Sequence, residues 1–123
     1  MIKIAISNPS QHLIDVLMDV LPYNVIWVAY DSSETIKKAI IDPPDLIILD
    51  VQIPGSGALD ITEKLIRELK CSIIITTSDI GINSSDIFEL MGKGALDVIS
   101  LKRYRFDEDP LLVNHLLKKI QTS

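Results

Sequence analysis

The sequence predicts an α/β domain built on a doubly wound parallel sheet, and three observations carry that expectation. Strand and helix signals alternate five times along 123 residues. The apolar run Leu46-Ile47-Ile48-Leu49 lacks the polar alternation of a half-exposed strand, so it reads as a strand covered on both faces. Hydrophobic residues make up 47% of the chain, enough to cover a sheet on two sides. No repeat, low-complexity tract or linker interrupts the alternation, so residues 1–123 read as one domain.

The first strand is predicted over Ile2–Ile6, and Ser7-Asn8-Pro9-Ser10 follows as a helix cap. The first helix presents Leu13, Val16, Leu17 and Val20 on one face and breaks at Pro22-Tyr23-Asn24. Val25–Tyr30 is β-branched and aromatic, a second strand in which Trp27 is expected to pack. Asp31-Ser32-Ser33-Glu34 is a capping signature for a second helix, Ile36 to Ile41, stopped by Pro43-Pro44. The third strand is Leu46–Asp50. The third helix, Ala58–Leu69, carries Leu59, Thr62, Leu65, Ile66 and Leu69 at helical spacing.

The fourth strand is Ser72–Thr77. Asn83-Ser84-Ser85-Asp86 starts a short fourth helix with Ile87, Leu90 and Met91, ended by Gly92 or Gly94. The fifth strand is Ala95–Ser100. Asp107-Glu108-Asp109-Pro110 opens a last helix whose apolar face is Leu112, Val113, Leu116, Leu117 and Ile120. Five such units give, most simply, the flavodoxin-like strand order 2-1-3-4-5.

Composition sets bounds on function. The single cysteine, Cys71, excludes an internal disulfide and a cysteine-based metal site, and a cytoplasmic location is expected. No run approaches the roughly 20 apolar residues that cross a bilayer, and Met1 leads straight into strand-like sequence, so neither a signal peptide nor a membrane span is expected. A formal charge of −5 without a lysine and arginine cluster argues against nucleic-acid binding by this domain. His12 and His115 have no metal-ligand spacing and read as surface or packing residues.

The chemistry centres on Asp50, an acid that ends a buried strand. It therefore sits at the carboxyl edge of the sheet, where open α/β folds bind ligands. Ile53-Pro54 follows it, Thr77 (or Thr76, if the strand shifts by one) ends the fourth strand, and Gly94-Ala95-Leu96-Asp97 opens the fifth. In that order and spacing the chain resembles the receiver domains of two-component response regulators over essentially its whole length. Within them, "LDVQIP", "TTSD" and "GALDVIS" look most like the regulatory domain of chemotaxis methylesterases.

The resemblance implies that Asp50 is the phosphoacceptor, taking a phosphoryl group from a histidine kinase or small phosphodonor as an acyl phosphate. It implies magnesium held by an acid pair after the first strand, by the aspartate and by the backbone carbonyl at Gln52. It also implies a switch hydroxyl at Thr77, a lysine after the fifth strand, and a protein-docking face on the fourth helix, fifth strand and fifth helix. Phe88, Tyr104 and Phe106 are contact candidates on that face, through which two copies could also pair.

The sequence departs from this pattern at several positions. The acid pair falls on Ser7 and Asn8, which read more simply as caps. The lysine falls on Leu101, with Lys102 one position late as the phosphate-contact candidate. The aromatic switch position falls on Val98. Metal ligation would rest on Asp50, Asn8 and Gln52, and Asp79 is the other acid at that edge. Each unit charge lost about 4 Å from a cation forfeits on the order of 4 kcal/mol per unit of metal charge at an effective dielectric near 20. Weak magnesium binding and impaired phosphorylation are therefore expected, leaving a non-enzymatic docking module. The alternative is a working phosphoacceptor that regulates an output domain such as a methylesterase. A flavin-binding reading fails because Ser7-Asn8-Pro9-Ser10-Gln11 has no glycine and Pro9 lacks an amide proton. A dehalogenase-type phosphatase needs an acid at Gln52.

Overall fold

The computed structural model describes residues 1–77, 84–101 and 106–123, without the side chains of Ser84 and Phe106. The elements are β1 (Ile4–Ser7), α1 (Gln11–Val20), β2 (Val25–Ala29), α2 (Ser32–Ile41), β3 (Leu46–Asp50), α3 (Ala58–Leu69), β4 (Ser72–Thr77), α4 (Ser84–Gly92), β5 (Asp97–Ser100) and α5 (Pro110–Gln121), with one 3-10 turn at Phe106–Glu108. The five strands are parallel in the order β2-β1-β3-β4-β5, as the sequence predicts.

Strand alternation divides the interior into two layers. Ile4, Ile6, Leu46, Ile48, Ile74 and Ile99 face α1 and α5 and meet Leu13, Ile14, Leu17, Leu116 and Ile120. Ala5, Ile47, Leu49, Ile73 and Ile75 face the other way, against Ala39, Ile61, Leu65 and Leu90. Burying one such isoleucine contributes roughly 2 kcal/mol, so the two layers hold the sheet.

Helix starts follow the caps in the sequence. Ser10 accepts from the Leu13 amide, Asp31 from Glu34 and Asp109 from Leu111 and Leu112. The sequence placed β1 two residues early, because the backbone of Lys3 is engaged by Asp45 and Leu46 before ladder pairing begins at Ile4. The second helix begins at Ser32, directly after its cap, rather than at Ile36. No described helix is long and apolar enough to cross a membrane. Trp27 packs, half-buried, against the α2–α3 layer and donates from Nε1 to the Asp42 carbonyl. Cys71 is buried, and burial pushes its thiol up to about 11, leaving it unreactive.

Candidate functional site

The carboxyl edge of the sheet brings Asn8, Asp50 and Thr76 together on the α1–α5 side. On β3, Asp50 follows Leu46 and Ile48 in facing that side, and it is only 2% exposed. β4 pairs in register, with Asp50 opposite Thr76. Thr76 Oγ1 donates to Asp50 Oδ1 at 3.1 Å, and Asn8 Nδ2 approaches the same oxygen at 3.4 Å. The Gln52 backbone N–H donates to Oδ2 at 3.0 Å. The carboxylate is thus met by three neutral donors, and no lysine or arginine among the described residues pairs with it. Burial raises its pKa above the ordinary 3.8, although the Gln52 and Thr76 hydrogen bonds pull it down.

The hydroxyl beside Asp50 is therefore that of Thr76, the alternative to Thr77. Thr77 is one residue further along β4, and alternation turns it to the layer of Ile73 and Ile75. The structure thus sets Thr76, and not the Thr77 preferred from the sequence, on the Asp50 side of β4.

Leu101 occupies the position where the resemblance implies lysine. It is fully buried in the apolar layer of Ile99 and Leu116. Lys102, Asp79 and Tyr104 lie outside the described residues, as does the side chain of Phe106. His115 is an exposed residue of α5, as expected for a surface position, and its Nε2 lies 2.7 Å from Asp97 Oδ2, tying α5 to β5.

The donor set suits magnesium poorly. Asn8 Oδ1, the atom able to face a cation, accepts from the Ser10 amide at 2.9 Å, which leaves the N–H side toward Asp50. Ser7 Oγ lies 2.6 Å from Thr35 Oγ1, and both residues are fully buried. Among the described residues, no group of three acids, histidines or cysteines is placed to hold a metal. Among the described residues, one carboxylate with neutral neighbours is far from the oxygen-rich, acidic shell a hard divalent cation prefers.

The loop after β3 rests on α2, a contact that the sequence reading missed by taking Asp31-Ser32-Ser33-Glu34 only as a cap. Ser32 Oγ donates to the Pro54 carbonyl at 2.8 Å and accepts from the Gly57 amide at 3.2 Å. Gly55 makes the approach possible. Its φ is +108°, and a Cβ there would lie 2.8 Å from Ser32 Oγ. Gly55→Ala is expected to destabilise the fold by about 1 kcal/mol or more through backbone strain and that clash, measurable as a lower urea midpoint with an unchanged slope.

No family model matches the chain. Among curated proteins it is similar to a protein-glutamate methylesterase/protein-glutamine glutaminase of Cupriavidus metallidurans, 29% identical over 97% of this chain and 36% of that protein. It is also similar to one of Pseudomonas syringae pv. tomato, 37% identical over 79% of this chain and 30% of that protein. The chain spans about a third of the length of these relatives. Among solved structures, the response regulator domain of Thermotoga maritima CheB superposes with a TM-score of 0.84 at 23% identity, covering 99% of this chain and 95% of that one.

Proposed function

We propose that this chain, which is a CheY-like receiver domain similar to the regulatory domain of CheB methylesterases, works as a signalling and protein-docking module whose Asp50 accepts phosphate weakly or not at all. The matched region of the relatives is their regulatory domain, which is not catalytic. Regulation of a methylesterase output domain by this chain is the corresponding proposal for the whole protein.

One observation carries the reading. Asp50 holds the receiver's acid position, yet its described neighbours are Asn8, Thr76 and the Gln52 amide, none of them charged. Phosphoryl transfer to an anion is governed by charge neutralisation, and Leu101 supplies none. Partner docking is assigned to the α4–β5–α5 face. There Phe88 is 79% exposed and Leu111 81%, both large for apolar side chains on a surface. The candidate partners are a histidine kinase, an output domain, or a second copy of this chain.

Incubation with acetyl phosphate and magnesium, followed by intact-mass measurement, tests the reading. The expected result is little or no phosphate-sized gain. A stoichiometric gain that disappears in Asp50→Asn would overturn it in favour of a working phosphoacceptor.

A further inference from the structure

Three segments converge on the Asp50 pocket: the end of β1, the end of β3 and the loop 51–57. The first turn of α2 bonds to the first and the last of them. The Thr35 hydroxyl donates to the Asp31 carbonyl at 2.7 Å, which uses its one proton. The 2.6 Å contact with Ser7 therefore runs from Ser7 Oγ–H to Thr35 Oγ1. One turn earlier, Ser32 uses both hydroxyl capacities on the loop, at Pro54 and Gly57. Its backbone N–H also reaches the Pro54 carbonyl, at 2.8 Å. The same loop carries the Gln52 amide that holds Asp50 Oδ2. Ser32 is 3% exposed and Thr35 fully buried, so water competes little for these bonds.

We infer that the first turn of α2 does with neutral hydroxyls the crosslinking that a cation would do between these segments, and that Ser32 and Thr35 are positioning residues for Asp50. This rests on reading the Asp50 pocket as a receiver's acid pocket whose residues do not suit magnesium. Ser7 occupies an acid position of that pocket and turns to α2 instead. Asn8 occupies the other and presents N–H to Asp50. Among the described residues, the segments are thus tied by neutral hydroxyl and amide groups.

Amide hydrogen exchange on the whole chain tests this with no added metal or phosphodonor, so its outcome is independent of whether Asp50 takes up phosphate. Ser32→Ala and the near-isosteric Thr35→Val are each compared with Ser56→Ala, an exposed loop control. Ser32→Ala is expected to speed exchange at Gln52, which Ser32 does not touch, by about tenfold or more. Thr35→Val is expected to do the same at Asn8, whose amide bonds the Ala29 carbonyl beside Ser7. The Ile48 and Ile74 amides should stay within about twofold in both variants. Unchanged exchange at Gln52 and Asn8 would overturn the inference. A uniform rise that includes Ile48 and Ile74 would overturn it equally, since the hydroxyls would then be general fold contacts.

Discussion

Asn8→Asp is expected to make the protein depend on magnesium. The new carboxylate would stand beside Asp50, where the amide now lies 3.4 Å from Oδ1. Two like charges at that distance repel by several kcal/mol at an effective dielectric near 20, and partial protonation relieves part of this. Without metal the variant should lose about 2 kcal/mol of stability near neutral pH, lowering Tm by roughly 8 °C for a domain of this size. Millimolar magnesium should restore that loss, because two carboxylates and the Gln52 carbonyl approach the oxygen set a hard cation requires. The expected gain in magnesium affinity over the parent is about a hundredfold, read by calorimetric titration. A variant as stable as the parent and equally indifferent to magnesium would show that charge does not limit the site.

Asp50→Asn is expected to stabilise the fold at neutral pH. Burial raises the Asp50 pKa, so the folded state holds a proton more readily than the unfolded chain. The sign follows by linkage. Stability is fully present below the ordinary carboxylate value of 3.8 and is lost as pH rises through the higher folded value. Asparagine carries no charge at any pH. Its oxygen can accept from the Gln52 amide while its NH2 donates to Thr76 Oγ1, a hydroxyl able to accept, although that NH2 then faces Asn8 Nδ2, a second donor, which offsets part of the gain. A gain in stability at pH 7 is expected, shrinking as the pH falls toward the ordinary carboxylate value of 3.8. Urea unfolding of both proteins across that range measures it, and a variant less stable than the parent at pH 7 would contradict it.

The fold was legible because its signals are local. An unbroken apolar run at Leu46–Leu49 and a period near 3.6 on Ala58–Leu69 each appear within one element. Asp50 was legible for the same reason, as a single acid at the end of an apolar run. The choice between Thr76 and Thr77 was not, since adjacent threonines face opposite sides and only the pairing of Asp50 with Thr76 decides which reaches the pocket. The bonds of Ser32 to Pro54 and of Ser7 to Thr35 span 22 and 28 residues, and local caps account for the same residue types. Leu101 was recognised as standing where a lysine belongs, but its place in the apolar layer follows from sheet pairing, as does the reach of His115 to Asp97.

On the proposed reading, neutral donors close the acid pocket and magnesium binds there weakly. A magnesium titration of the parent protein, followed by the amide resonances of Asn8, Asp50 and Gln52, tests it most directly. Shifts that stay small and do not saturate through the millimolar range are expected. Saturable shifts at these three residues below millimolar magnesium would contradict it.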